Sequence, residues 1–526
     1  MTFARPSSES SCEKGKEAAK FILRILEKQA DEISVIALPN EGVFQGDYLE
    51  LIDASSEGSV VVQVYDEMYI PSQSLTEDII RDQIIEASAP GTELDPFEIS
   101  SVSQMVKDMR LLKCKIRGSI QNGLMVPNVS WLPSRSRSKV RKISQSKLLG
   151  LSGQTGSAQI KIGTTKDGEH FTVLGEALDG NLSIITGKKE SGKSHLSKIL
   201  ASSLVASGAI VLIFDLNNEY EGLGMNKDGT KNEFYDRIVV LEPGRTLRFA
   251  LDYLGEFSLI SLMQHVLDAP GASLREFIRI IGSLEHSPKF TLEGLADTIQ
   301  SWHCNELVKD ALYSRYQTMK ASGVFAGENQ DSVRVDSTIK SLLPGGGAIV
   351  ISLKKASSLT KKMVVEIILS KLVQLLEREI IPPVFLFAEE AHLYLRETYW
   401  DDIVTRMRHF GIFTTLITNQ PDAINDGIYR QADNIFLFNF TNETDLDMIA
   451  RASTADSQTI RSIVRTLPRR HCLILGKVVS DLPMLVKVGE AKFLPMGQTK
   501  KFFGYRLPSA PLDKKGEKLL VAATQR

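Results

Sequence analysis

Apolar and polar positions recur with several different periods along this chain, and the changes of period divide it. Over residues 13–31, Ala18, Phe21, Ile22, Ile25 and Leu26 share one face at helical spacing, which predicts an amphipathic helix behind a serine-rich start. Over residues 33–69 the spacing shortens. Tyr48, Leu49 and Leu51, then the run 60–64, lie between Gly46, Asp53 and Gly58, as short strands joined by turns would. Helices are expected at 76–87 and 96–112, and strands at 114–120, 123–129, 159–163 and 171–174.

Beyond residue 168 the pattern is of another kind. Short, largely apolar runs at 182–186, 209–214, 348–353, 384–388 and 412–418 are separated by long helical stretches, the pattern of parallel strands buried on both faces. The fold class expected is therefore α/β: a parallel central sheet with a helical insertion, preceded by a small β-barrel. The expected division is a tail and helix at 1–32, a barrel with a helical insertion at 33–167, a main domain at 168–500 with a helical subdomain at about 254–345, and a tail at 501–526.

Composition adds bounds. The chain has 526 residues, more than one core usually organises, and 43% hydrophobic with 24% charged residues is the balance of a soluble globular protein. No apolar run approaches the roughly 20 residues that span a bilayer, so no membrane insertion is expected. Four scattered cysteines, Cys12, Cys114, Cys304 and Cys472, fit neither a disulfide framework nor a zinc site, and the expected location is cytoplasmic. The net charge of -2 hides an asymmetry: residues 109–166 contain no Asp or Glu but twelve Lys and Arg. The segment 134–147 is either a phosphate-contacting surface or a solvated basic loop.

The chemistry centres on residues 187–194. Gly187, Lys188, Lys189, Glu190, Ser191, Gly192, Lys193 and Ser194 stand between an apolar strand and a helical pattern opening at His195. Glycines at both ends let the backbone curl so that successive N–H groups face a nucleotide's phosphates. Lys193 adds a positive charge, Ser194 a hydroxyl for Mg²⁺, and the helix start its dipole. ATP and Mg²⁺ are the expected cofactors. The run 384–388 ends in Glu389 and Glu390; the first is a candidate Mg²⁺ carboxylate, together with Asp215 at the end of the run 209–214, and the second a candidate for polarising the attacking water. The run 412–418 ends in Asn419 and Gln420, either of which can sense the γ-phosphate. Arg406 and Arg408 are candidates for reaching a neighbouring subunit's nucleotide, or are surface cations.

Taken in order, the phosphate loop, residues 215–220, Glu389 to His392, Arg408-His409-Phe410-Gly411 and Asn419-Gln420-Pro421 resemble the HerA family of hexameric DNA-translocating ATPases, within the wider FtsK-HerA group. The resemblance runs from about Ser34 to Val488. It implies a RecA-like P-loop motor capped by a small N-terminal (HAS-type) barrel, a homo-hexameric ring with ATP at its interfaces, and double-stranded DNA pumped through it, often with a partner nuclease, in DNA-end processing or anti-phage defence. A secretion or conjugation pump and a nucleotide-gated scaffold are the alternatives. Two positions depart from the family pattern: Glu389 stands where Asp is usual, and Asn419-Gln420-Pro421 where Gln-Arg-Pro is usual.

Overall fold

A computed structural model describes residues 23–497, apart from 71–107, 396–399, 453–455 and the positions 40, 54–55, 57, 128, 130, 154, 329 and 441. The helix expected at 76–87, most of that expected at 96–112, the start of that at 13–31 and both tails lie outside these residues.

The N-terminal part is an antiparallel sheet of seven strands: β1 (Arg24–Gln29), β2 (Glu32–Ala37), β3 (Tyr48–Ile52), β4 (Gly58–Tyr69), β5 (Arg110–Gln121), β6 (Leu124–Val126) and β7 (Lys139–Ile143). They run in the order β1-β2-β5-β4-β3-β7, with β6 on β5. Leu49, Leu51, Val60, Val62, Val64, Leu112 and Cys114 form its core.

The second sheet has eleven strands. They are β8 (Gln159–Thr165), β9 (His170–Leu174), β10 (Ser183–Thr186), β11 (Ile210–Asp215), β12 (Ile238–Leu241), β13 (Gly347–Ser352), β14 (Val384–Glu389), β15 (Ile412–Thr418), β16 (Asn434–Leu437), β17 (His471–Gly476) and β18 (Met484–Val488). Their order is β12-β13-β11-β14-β15-β10-β16-β17-β18-β8-β9, parallel from β12 to β16 and antiparallel beyond. Every residue of β10, β11, β13 and β16 is buried, as strands covered on both faces require. Five helices between Leu251 and Leu342 form an insertion between β12 and β13.

Four expectations are corrected. Residues 24–29 are a strand, because β2 offers them a full antiparallel ladder and Leu23 and Ile25 alternate inward. Residues 110–112 begin β5 and do not end a helix. The boundary at 168 cuts a hairpin: β8 and β9 pair with each other, and β8 pairs with β18 (Val486 opposite Thr165), so both belong to the large sheet and not to the N-terminal one. The basic segment 134–147 is partly strand β7, where Arg141 pairs with Glu50 at 2.8 Å and Lys142 with Asp47 at 3.1 Å and Asp167 at 2.7 Å. Its acid-free sequence is met in space by carboxylates from elsewhere.

The two sheets are keyed together by polar contacts. Arg117 donates to Asp456 Oδ2 and Thr459 Oγ1, both at 2.8 Å, and to Gln63 Oε1 at 3.0 Å. Tyr48 and Gln63 both donate to the Pro483 carbonyl, at 2.8 and 2.7 Å.

Candidate functional site

In an open parallel sheet the loops leaving the strands' C-terminal ends line one crevice, and here those loops carry the chemistry. β10 lies between β15 and β16 and delivers residues 187–192 into the crevice before helix Lys193–Ala206 begins. Gly187 and Gly192 have φ of 153° and 126°. A Cβ on Gly187 would stand 2.5 Å from Phe438 Cβ, so only glycine lets the loop lie against β16. The Lys188 N–H donates to the Asn439 carbonyl at 3.0 Å, which pins the loop from the same side.

Lys193 bends back across the loop and donates to the carbonyls of Gly187 (2.7 Å) and Lys188 (3.0 Å). It is 8% exposed. Burial lowers its pKa to about 8, against the opposing pull of Glu390, Glu219 and Glu389. Ser191 is also buried, and its hydroxyl has no hydrogen-bond partner among the described residues. A concave loop holding a buried cation and an unengaged hydroxyl fits a phosphate group. Ser194 and His195, half-buried, begin the helix, while Lys189 and Glu190 are exposed at the loop's tip.

Carboxylates face this cation from neighbouring strands. Glu389 closes β14 at 2% exposure, and its pKa is pushed up by burial and by Glu219, Asp215 and Glu390. Glu390 follows with φ at 48°, a left-handed conformation costly for a non-glycine residue and frequent at functional sites. Burial raises its pKa too, opposed by Lys193 and Lys189. Asn419 Nδ2 donates to Glu390 Oε1 at 3.3 Å, and Asn419 Oδ1 is buried with no partner among the described residues. Behind them His392 Nδ1 lies 3.1 Å from Thr418 Oγ1 and 3.5 Å from Glu390 Oε2.

The structure sorts the residues singled out from sequence. It brings Lys193, Glu389, Glu390 and Asn419 together. Gln420 is exposed, and its bonds are made by its backbone: its N–H donates to Thr418 Oγ1 at 3.0 Å and its carbonyl accepts from Thr418 Oγ1 at 3.1 Å and from the Ala423 N–H at 3.3 Å. Asp215 accepts from the N–H groups of Asn217 (3.2 Å), Glu219 (2.9 Å) and Tyr220 (2.8 Å), so its carboxylate shapes the turn. Arg406 and Arg408 are exposed on helix Trp400–Phe410, which ends where β15 begins; Arg408 lies 3.7 Å from Asp433, before β16. That is the N-terminal end of the strands, opposite the phosphate loop, so neither arginine meets the site of its own chain.

Two residues escaped assignment. Glu219 pairs with Lys198 at 3.2 Å and faces Lys193 and Glu389. Arg470 donates its N–H to the Ser191 carbonyl at 2.7 Å. Glu219 was signalled by its place four residues after the strand-closing Asp215; no local pattern marks Arg470, which is 276 positions beyond Ser194 in the chain.

A strand, a glycine-bounded phosphate loop, a helix, and acidic residues closing a parallel strand nearby define a P-loop NTPase of α/β architecture. The comparisons agree. A family model described as the central domain of helicase HerA matches residues 185–372. The DNA double-strand break repair helicase HerA of Saccharolobus solfataricus is 23% identical over 414 residues, 72% of this chain and 76% of that protein. VirB4 of Thermoanaerobacter pseudethanolicus superposes with a TM-score of 0.50 at 17% identity, covering 65% of this chain and 98% of that one. The bacterial conjugative coupling protein TrwB gives 0.49 at 11% identity, over 68% and 93% of the two chains. Residues 185–372 therefore carry a segment similar to the central domain of the HerA family. The family match ends before β14 and β15, so the carboxylate half of the site stands on the structure.

Among the described residues, no helix is long and apolar enough to cross a membrane.

Proposed function

We propose that this protein is an ATP-driven double-stranded DNA translocase that works as a homo-hexameric ring with a partner nuclease. The observation that carries the reading is the convergence of Lys193, Glu390 and Asn419 at the C-terminal ends of β10, β14 and β15. The HerA relative, by its name a DNA repair helicase, supports the DNA substrate.

In this reading the loop's N–H groups and Lys193 bind the β- and γ-phosphates of ATP. Ser194 and Glu389 hold Mg²⁺, which supplies charge neutralisation on the phosphates when bound. Among the described residues no group of three or more His, Cys, Asp or Glu side chains forms a ready-made metal cage. That suits Mg²⁺, which keeps several waters and takes one or two protein ligands beside phosphate oxygens. Glu390 accepts the proton of the attacking water, and its raised pKa brings it nearer the operating pH of a general base. Asn419 orients Glu390 through Nδ2 and offers Oδ1 to the water's second hydrogen, so Asn419 rather than Gln420 is the sensor. Water attacks the γ-phosphorus, the bond to the β-phosphate oxygen breaks, and ADP and phosphate leave.

Arg408 or Arg406 can serve only a neighbouring subunit, which is how a ring would make turnover depend on assembly. Arg135, Arg137 and Lys139, exposed before and at the start of β7, remain for the DNA backbone; contacts of this kind give weak sequence preference and steep salt dependence.

The test is ATP hydrolysis with and without linear double-stranded DNA, with particle mass measured on the same sample. DNA-stimulated turnover in a particle of six subunits supports the proposal. A ring that binds ATP but turns over equally slowly with and without DNA overturns the translocase reading in favour of a scaffold.

A further inference from the structure

We propose that Arg470 is a nucleotide-binding residue supplied by the same chain, its guanidinium contacting the α-phosphate and ribose side of the nucleoside triphosphate; this rests on the nucleotide reading above. Strand order sets the direction in which a nucleotide would lie. β14 and β15, carrying Glu389, Glu390 and Asn419, lie on one side of β10, whereas β16 and β17 lie on the other. A nucleotide whose terminal phosphate faces Glu390 therefore extends across the loop toward the residues that precede β17. Arg470 is the last of these.

Its backbone is fixed to the loop. Besides the 2.7 Å bond to the Ser191 carbonyl, its Cα would stand 3.1 Å from a Cβ on Gly192, so the two segments are in close packing. Its φ is 62°, a conformation glycine adopts freely and arginine does not. A long cationic side chain kept where glycine would be easier is an outlier that points to use of the side chain.

The surroundings fit a phosphate and sugar. The guanidinium reaches Glu490 Oε1 at 3.3 Å, and Lys227 reaches the other oxygen at 3.3 Å. Arg470 is 46% exposed there and Glu490 71%, so both are free to rearrange. His195, in the first turn of the phosphate-loop helix, has its pKa lowered by burial and then by Arg470, Lys198 and Lys227. A histidine and three cations thus surround the loop's exit, and Glu490 is the acceptor that occupies Arg470. An α-phosphate would compete for the same fork, since guanidinium binds phosphate oxygens in pairs.

The experiment measures ATP dissociation constants for the full-length protein and for Arg470→Gly, Arg470→Lys and Lys193→Ala, in Mg²⁺, with inorganic pyrophosphate as a competing probe of the loop alone. Arg470→Gly keeps the N–H and suits the backbone, so folding and loop geometry are preserved. The expected result is a loss of about ten- to a hundredfold in ATP affinity for Arg470→Gly, a smaller loss for Arg470→Lys, a matching rise in KM, and no change in pyrophosphate affinity. If Arg470→Gly binds ATP within twofold of the parent while Lys193→Ala loses it, the inference is wrong and the nucleotide reading stands. Equal losses of ATP and pyrophosphate also overturn it. If the parent does not bind ATP, both fail.

Discussion

Because burial lowers the Lys193 pKa to about 8, the strength of ATP binding becomes a function of pH in a range where an ordinary lysine would be silent. Only the ammonium form neutralises a phosphate, and once ATP is bound its oxygens hold the proton in place, so the complex carries a proton that the free loop has begun to lose. Binding is then coupled to proton uptake: affinity is full below pH 8 and falls as pH rises through it. At pH 9.5, one and a half units above, about 3% of free loops would carry the charge, so the dissociation constant should rise about 30-fold over its value at pH 7. A lysine at the unperturbed value of 10.5 would give almost no change. Calorimetric titration of ATP in two buffers of different ionisation heat measures both quantities, with uptake approaching one proton per ATP at pH 9.5. Burial raises the pKa values of Glu390 and Glu389 as well, so their titration has to be told apart from that of Lys193. Lys193→Arg separates them, since guanidinium stays charged throughout and its profile should be flat. An affinity independent of pH between 7 and 9.5 in the parent, or a slope that persists in Lys193→Arg, would refute the reasoning.

Three further outcomes are expected. Glu390→Gln should lower kcat by about 10²–10⁴-fold while ATP stays bound, read by single-turnover hydrolysis and retention of labelled ATP; unchanged turnover would move the base elsewhere. Gly187→Ala should abolish nucleotide binding without unfolding the chain, because its Cβ would sit 2.5 Å from Phe438 Cβ at φ 153°, and nucleotide titration beside a thermal melt separates the two effects. Arg117→Met should cost about 2–3 kcal/mol by leaving the mostly buried Asp456 without its guanidinium. Burial alone would raise the Asp456 pKa, but Arg117 and Thr459 outweigh it and hold it below the usual value. Its contribution to stability is therefore present above the ordinary carboxylate range and lost as pH falls through the depressed pKa, and denaturant midpoints at pH 7 and pH 3 should differ less in Arg117→Met than in the parent.

What was legible in the sequence was chemistry written within a few residues. The phosphate loop is read directly, because eight consecutive residues hold both the turn and the cation. Glu389 and Glu390 follow from an apolar run that ends in charge, and the run at 412–418 likewise announces Asn419. Partners brought together by the sheet are another matter. The residues just after β16, Phe438 and Asn439, back the loop, yet the strand's four residues carry no period long enough to mark a partner for β10, whose Ser183 lies opposite Asn434. The hairpin of β8 and β9 alternates as any antiparallel strands do, and nothing local says that β18 is its neighbour. The acid-free run 109–166 illustrates the same limit from the side of charge: Lys115, Arg117, Arg141 and Lys142 are met by Glu32, Asp456, Glu50 and Asp47, carboxylates at distances along the chain that composition cannot see.

The contact of Arg117 with Asp456 also gives the fold a mechanical reading. Asp456 caps helix Ser457–Thr466, accepting from the Thr459 N–H at 2.8 Å. Near the helix's other end the carbonyls of Arg465 and Leu467 accept from Asn439 Nδ2 at 3.2 and 2.7 Å, and Arg470 binds Ser191 three residues further on. One helix therefore touches the N-terminal part along its length, at its cap through Arg117 and further on through Gln45, which meets Ser462 at 2.6 Å and Thr466 at 3.1 Å, and it meets the back of the phosphate loop just past its end. A rigid element of that kind transmits displacement only if both of its ends are held, and here a mostly buried ion pair holds one while the Asn439 side-chain amide and the Arg470 N–H hold the other. Arg117→Met removes the ion pair at the cap and leaves the Gln45 contacts and the far end in place. If the N-terminal sheet governs turnover through this helix, the variant should bind ATP as the parent does yet hydrolyse it without response to DNA; a variant that loses stability but keeps its DNA response would show that the helix is a strut and not a lever.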